Sequence, residues 1–163
     1  MTYRMETVRP KGDVLCLVTH AHDDHWSADL FRSTNWMVAG PQSVTAGIDL
    51  TRVVPVYPRG RFKTVIVQSF ETRHEPKGHY SYLVLWHGQK LYFTGDTEVP
   101  DKVLSAGPVD TLFITPWLLR NSMKAGLKFQ AKRIVIYHHD ESEPLPRCDN
   151  CVGPRQGQEI VLK

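Results

Sequence analysis

The sequence has few cysteines, no long apolar run and no strong excess of either charge. Three cysteines, unevenly spaced, are too few for the disulfide framework of a small secreted scaffold. No stretch approaches the roughly 20 apolar residues that cross a bilayer, and the polar N-terminal segment lacks the apolar part of a signal peptide. We therefore expect a cytoplasmic protein that has no contact with a membrane.

The charge balance is equally weak, with 20 Lys and Arg against 17 Asp and Glu, a formal net charge of +3. That bias does not indicate a nucleic-acid partner. Internal repeats and low-complexity tracts are absent, and a hydrophobic content of 41% excludes intrinsic disorder. The 163 residues are expected to form one domain over positions 1–163.

Hydrophobic patterning predicts an α/β protein with about nine strands and four short helices. Ser27 is expected to cap the first helix, and Asn121 or Ser122 the last, which would run to Lys132. Residues 58–61 are predicted to form the turn of a hairpin between residues 53–57 and 63–70. The other predicted strands cover residues 14–19, 36–39, 80–86, 90–94, 111–114, 133–137 and 159–162.

The eight histidines are gathered in clusters, and the densest cluster is THAHDDH at residues 19–25, directly after a predicted buried strand. Neutral imidazoles and carboxylates are the ligands that zinc and similar divalent cations prefer. In an extended chain, His20, His22 and Asp24 project to one side and His25 to another. One short segment can therefore address two adjacent metal ions, which we favour over a solvated His-rich loop.

Further candidate ligands follow other predicted strands, which would bring them to one end of a layered sheet structure. They are His74, Asp96 within a Gly-Asp-Thr sequence, and His138. Alone, Gly-Asp-Thr is more typical of a turn or a helix cap. Because it accompanies the histidines, Asp96 is nevertheless favoured as a metal ligand.

THAHDDH resembles the HxHxDH signature of the metallo-β-lactamase-fold hydrolases. The later segments ETRHEP, KLYFTGDT, RIVIYHH and GQEIVL follow the order of elements in that superfamily, so the resemblance covers nearly the whole chain. It implies a four-layer αββα sandwich with two metals held at one edge between the sheets. The continuation Trp26-Ser27-Ala28-Asp29 is most similar to the ascorbate-6-phosphate-lactonase-like group and its uncharacterised relatives.

The resemblance also implies a ligand set. One metal would be held by His20, His22 and His74, the second by Asp24, His25 and His138, and Asp96 would bridge the two. Because the flavodiiron relatives carry Glu at the position of His22, zinc is favoured, with manganese or iron as alternatives.

Two ligand choices stay open on the residues alone. His74 is preferred to His79, which we expect to line the substrate pocket or the core, and His138 is preferred to its neighbour His139, since only one of the two can point inward. Trp117 and Arg120 are further candidates for the substrate pocket; for Trp117 a core position is the alternative. An Arg120 facing the site would suit a phosphate or carboxylate of the substrate.

These features predict a hydrolase in which a hydroxide bridging two metals cleaves an ester, lactone, amide or phosphodiester of a small-molecule substrate. Asp24 is the expected catalytic residue, which binds metal, orients the hydroxide and carries a proton to the leaving group. The alternative is a metal-binding interaction or regulatory module of the same fold that lacks turnover.

The chain departs from the family pattern before Val14, where members normally place several strands. We expect part of the first sheet to be absent or replaced, and the resulting open edge to favour a homodimer. Cys148 and Cys151 form a lone CxxC, which we interpret as incidental thiols, with a disulfide or redox pair as the alternative.

Overall fold

The computed structural model describes residues 12–74, 78–155 and 157–162, which form two β-sheets flanked by helices. The small sheet pairs β1 (Leu15–Leu17) in parallel with β2 (Met37–Ala39). The large sheet contains seven strands in chain order. They are β3 (Arg59–Phe62), β4 (Val65–Thr72), β5 (His79–Trp86), β6 (Gln89–Phe93), β7 (Val109–Ile114), β8 (Ala131–Ile136) and β9 (Cys151–Val152).

Four α-helices and a 3-10 turn (Leu50–Arg52) connect the strands. The helices are α1 (Ala28–Arg32), α2 (Gln42–Thr45), α3 (Asp101–Ser105) and α4 (Pro116–Lys124). The Ser27 hydroxyl accepts a hydrogen bond from the Leu30 N–H at 3.3 Å, so the predicted cap of α1 is confirmed.

The kind of strand pairing in the large sheet changes once. β3 to β6 pair as an antiparallel meander, whereas β6 to β9 pair in parallel. The parallel half needs crossover connections: α3 and α4 supply the first two, and the segment 137–150 supplies the third. As a result β4, β6 and β8 all run in the same direction, and their C-terminal ends meet at one edge of the sheet.

Three apolar clusters separate four layers. The first cluster lies between the two sheets and includes Ala39, Val67 and Tyr82. The second cluster packs the far side of the large sheet against α3 and α4, and includes Leu112, Leu118 and Ile134. The outer face of the small sheet packs on α1 and α2, through a third cluster formed by Val18, Phe31, Val38 and Val44. The predicted αββα sandwich is confirmed.

The predicted turn at residues 58–61 is wrong. Residues 59–61 belong to β3, which pairs with β4, and the chain reverses at Lys63, which has a positive φ of 52°. Residues 53–57 form only one bridge, between Val53 and Val38. Two prolines at 55 and 58 remove ladder donors, and Gly60 lies directly against the Pro55 carbonyl oxygen.

Two further predictions are wrong near the C-terminus. α4 begins at Pro116, five positions before the predicted cap, because proline at the first helical position leaves no unsatisfied donor. It ends at Lys124, and Gly126 follows with a φ of 73°. Residues 159–162 form no strand; β9 takes the place beside β8 instead.

Cys148 and Cys151 are joined in a disulfide, which corrects the interpretation as incidental thiols. Cys16 is the free cysteine. None of the helices in the described ranges has both the length and the apolar character needed to cross a membrane. The expectation of missing N-terminal strands falls largely on residues 1–11, which lie outside the described residues. Among the described residues, β1 pairs with β2 alone.

Candidate metal centre

The segment after β1 supplies four polar side chains to one site. The N–H groups of His25 and Trp26 both bond to the His22 carbonyl, at 2.9 and 2.8 Å. This tight turn changes the direction of the chain after His22. His20 and His22 therefore face one cluster of side chains, and Asp24 and His25 face another.

The large sheet supplies the remaining side chains from three strand ends. His74 follows β4, Asp96 follows β6 and His138 follows β8. Since these strands run in the same direction, their C-terminal ends lie at the edge that the β1 segment covers. Residues distant in sequence are thereby brought together.

Two groups of ligand-type side chains result. Within each group, one ligand atom from every residue lies within 4.8 Å of the others. The first group consists of His20, His22 and His74; the second consists of Asp24, His25, Asp96 and His138.

The first group is packed around a buried imidazole. The His20 ring is 1% exposed, and its Nε2 lies 2.9 Å from His22 Nδ1. The His74 ring centroid lies 4.7 Å from that of His20 and 5.2 Å from that of His22. Burial, followed by the charge of His25, lowers the pKa of His20 to about 4, so at neutral pH the imidazole is neutral and one of its nitrogens has a lone pair that can bind a cation.

The second group is organised around the buried carboxylate of Asp96. Its Oδ2 lies 3.1 Å from His25 Nε2 and 3.4 Å from His138 Nε2. The same oxygen lies 3.9 Å from His20 Nε2. Asp96 thus reaches both groups, which is the position that a bridging ligand requires.

Electrostatics in the second group reflect these contacts. Burial alone would raise the pKa of Asp96, but the His138 and His25 imidazoles beside it hold that pKa well below its usual range. The contact with Asp96 raises the pKa of His138 to about 9, against the effect of its burial. Burial would likewise raise the pKa of Asp24, but the charge of His25 and hydrogen bonds to the carboxylate lower it below its usual value.

The donor set fits a pair of divalent cations. Among the described residues, His74 Nε2 and Asp96 Oδ1 are buried side-chain atoms of the site with no hydrogen-bond partner. Buried polar atoms are normally paired, so two unpaired atoms in one site are consistent with a cation site. Five imidazoles and two carboxylates are suitable ligands for zinc, iron or manganese.

Two candidate pocket residues lie away from the ligand groups' open side, and for His79 this is the core position expected as the alternative. His79 is fully buried, and its Nδ1 and Nε2 pair with Thr72 Oγ1 and the Asp96 N–H, so it does not face a substrate pocket. Arg120 donates to Glu143 Oε1 at 3.2 Å and to the Pro144 carbonyl at 3.1 Å. Its guanidinium is therefore held by the loop after β8 rather than aimed at the ligand groups.

The structure places the members of each open histidine pair differently. His74, not His79, lies with His20 and His22, while His139 contacts the Asp140 carbonyl outside both groups. The half-buried Trp117 packs edge-on against His138, with ring centroids 5.1 Å apart.

Sequence reasoning missed the hydroxyls that support His79. Thr72 pairs with His79 across β4 and β5, and Ser81 lies two positions further along β5. The alternation of a strand places His79 and Ser81 on one face, so a polar pair in an otherwise apolar strand was the available signal.

The chain matches no protein-family model and no curated protein. Solved structures do resemble it. A protein from Parabacteroides distasonis, provisionally named a metal-dependent hydrolase, has a TM-score of 0.64 and 16% identity over 84% of this chain and 70% of its own. The metallo-β-lactamase-fold protein YhfI from Bacillus subtilis has a TM-score of 0.55 and 14% identity over 77% of this chain and 64% of its own.

CmlA from Streptomyces venezuelae, a diiron β-hydroxylase, has a TM-score of 0.54 and 16% identity. That match covers 79% of this chain but only 36% of the hydroxylase. Identities this low establish a shared architecture and not a shared reaction. The backbone similarity to these structures, with TM-scores from 0.54 to 0.64, shows the architecture: the chain has the metallo-β-lactamase fold.

Proposed function

We propose that this chain is a dinuclear metal-dependent hydrolase that cleaves an ester, lactone, amide or phosphodiester of a small molecule. The observation that carries the proposal is the position of Asp96, whose Oδ2 approaches His20 in one ligand group and His25 and His138 in the other. His20, His22 and His74 would hold one cation, Asp24, His25 and His138 the second, and Asp96 both.

The bound cations would supply one kind of chemistry: they lower the pKa of a shared water toward neutrality and polarise the substrate oxygen. With cations bound, all five imidazoles, including His138, would be neutral, and together with the two carboxylates they would leave two divalent cations with a net charge of about +2. Such a site favours substrates that are anionic or that gain negative charge as they react.

Asp24 and Asp96 have different exposures, which indicates different roles. The Asp24 side chain is 40% exposed and that of Asp96 is 8% exposed. Asp24 can therefore meet solvent and substrate, where it orients the attacking water, takes a proton from it and delivers that proton to the leaving group. The buried Asp96 is suited only to holding cations.

Trp117 and the loop after β8 would form one wall of the proposed substrate pocket. The half-buried Trp117 ring packs edge-on against His138 and against the apolar cluster beneath α4, and its exposed part would contact a substrate. Arg120, through Glu143 and Pro144, ties that loop to α4. In this proposal Trp117 directly, and Arg120 through the loop that it holds, would limit where a substrate lies relative to Asp24.

The test measures metal content and turnover in the same preparations. Purified chain loaded with Zn2+ is assayed on a chromogenic phosphodiester, an aryl lactone and a β-lactam, beside Asp24→Ala, His22→Ala and the control His87→Ala. His87 is exposed in the turn between β5 and β6. We expect about two metals per chain, and a loss of kcat/KM of about 100-fold or more only in the two site variants.

A chain that keeps both metals but turns over none of the three substrates would instead support the alternative of a metal-binding module. Mass spectrometry of protein purified without added metal distinguishes zinc, which we propose as the native metal, from iron or manganese. The ascorbate-6-phosphate-lactonase-like grouping is proposed on the sequence after His25, and activity on a sugar-phosphate lactone tests it.

The expected cytoplasmic location, single domain and homodimer also stay proposals. β1 has only one strand neighbour within the described residues, and an open strand edge favours pairing with a second copy. Light scattering coupled to size exclusion measures the mass directly. A mass equal to one chain at micromolar concentration would contradict the dimer.

A further inference from the structure

A further histidine, His79, lies beside the ligand groups without belonging to them. Its ring is fully buried, with its centroid 5.1 Å from that of His20 and 5.3 Å from that of His74. A histidine so close to a metal centre would ordinarily be counted as a ligand. Its hydrogen bonds indicate another role.

One side of His79 connects to a series of hydroxyls whose donors can be assigned from its far end. The Thr94 carbonyl can only accept, so the Ser81 hydroxyl donates to it, at 2.6 Å. The Ser81 oxygen then accepts from the Thr72 hydroxyl, 3.1 Å away. With its own hydrogen used, Thr72 Oγ1 accepts from the Nδ1–H of His79 at 2.7 Å.

The hydrogen bond at the other ring nitrogen of His79, Nε2, leads independently to the same proton assignment. The Asp96 N–H can only donate, and it points at His79 Nε2 at 2.9 Å. Nε2 must therefore carry a lone pair, which leaves the proton of the neutral ring on Nδ1. Both ends of the series specify one tautomer.

We propose that His79 is a positioning residue: held as the Nδ1–H tautomer by Thr72 and Ser81, it fixes the backbone of Asp96 so that the carboxylate spans both ligand groups. Both ring nitrogens are engaged, so neither is free to bind a cation. The inference rests on the metal site proposed above, but not on turnover.

The local backbone supports this assignment. Gly95 has a φ of 59°, and a Cβ there would overlap His79 Nε2 and come within 2.9 Å of Thr19 Cγ2. The ring therefore lies directly on the turn that carries Asp96. A carboxylate whose backbone is held in this way is preorganised, and outer groups that orient ligands typically affect metal affinity about 10- to 100-fold.

The first experiment removes the hydroxyl and retains the shape. Thr72→Val deletes the acceptor of the Nδ1–H, whereas the matched control Thr72→Ser keeps it. Zn2+ affinity is measured by competition with a chromophoric chelator, and circular dichroism checks that each variant is folded. We expect Thr72→Val to weaken Zn2+ binding about 10- to 100-fold and Thr72→Ser to stay within about 3-fold of the unsubstituted protein.

The second experiment needs no substitution. Long-range 1H–15N correlation of the metal-free protein reports which nitrogen of His79 is protonated, and we expect Nδ1. An Nε2–H tautomer, or equal Zn2+ affinity in folded Thr72→Val, would overturn the positioning role and leave the proposed hydrolase intact. Failure of the unsubstituted protein to bind Zn2+ would overturn both.

Discussion

Asp24 and His138 are in contact although 114 positions separate them in sequence: Asp24 Oδ2 lies 3.1 Å from His138 Nε2. Asp24 lies in the segment after β1 of the small sheet, and His138 follows β8 of the large sheet. The contact therefore joins the two sheets at the edge where the ligand groups lie. It also distinguishes His138 from the adjacent His139, whose Nδ1 lies 3.2 Å from the Asp140 carbonyl oxygen.

The two neighbouring histidines provide a matched pair of variants. We expect His138→Ala to lose about one metal per chain, since its site keeps two other side chains besides the shared Asp96. His139→Ala should keep both metals. Inductively coupled plasma mass spectrometry after gel filtration measures the stoichiometry, and equal metal loss in both variants would contradict the assignment.

The ligand positions were largely predictable because each follows a strand whose apolar pattern is clear. The spacing of His20, His22, Asp24 and His25, and the strands before His74, Asp96 and His138, were sufficient to place them at one edge. The proposed role of His79 was not predictable from the sequence, because it depends on the pairing of Thr72 with His79 across two strands. Register of that kind is a tertiary property.

Errors in the predicted elements have a similar origin. Asn121 and Ser122 are good capping residues, yet α4 starts at Pro116 and continues through them because Leu118 and Leu119 pack into the core. Residues 53–57 have the composition of a strand, but prolines and the approach of Gly60 to Pro55 prevent a ladder. Packing overrode local preference in both places.

Gly95→Ala tests the close packing of the Asp96 turn. The new Cβ would overlap His79 Nε2, and the positive φ would add strain. Gly88 is the control because its φ is also positive, 78°, while a Cβ added there would meet nothing within 4 Å. In urea unfolding of metal-free protein, we expect Gly95→Ala to lower the free energy of unfolding by roughly 1–3 kcal/mol more than Gly88→Ala does. Equal losses would show that the ring does not restrict the turn.

Tyr82 connects the sheets through a buried hydrogen bond. Its hydroxyl donates to the Val18 carbonyl at 2.7 Å, and the side chain is 1% exposed. Tyr82→Phe leaves that carbonyl without this donor, so we expect a loss of about 1–3 kcal/mol in the free energy of unfolding. Tyr80→Phe, at a half-buried position on the same strand, should change it by less than about 0.5 kcal/mol. Thermal denaturation that ranks the two variants in the opposite order would contradict the role of Tyr82.

Cys16 should react slowly with alkylating reagents, although it is the free cysteine of the described chain. Burial raises the pKa of its thiol from 9.0 to about 11. The thiolate is the reactive form, so at pH 8 its fraction falls from about one tenth to about one thousandth, and alkylation slows about 100-fold. The rate should then rise about tenfold per pH unit between pH 7 and 9, because deprotonation limits it throughout that range.

The same protein unfolded in urea is the control for Cys16, because its thiol is then solvated and recovers an ordinary pKa. Mass spectrometry after timed exposure to iodoacetamide counts the modified cysteines; with the Cys148–Cys151 disulfide intact, the count should approach one per chain only in urea. Rapid labelling of folded protein at pH 7 would contradict the packing of Cys16, a residue of β1, against the apolar cluster that includes Phe31 of α1 and Val44 of α2. A second and third label without reductant would contradict the disulfide instead, so the one measurement separates the two features.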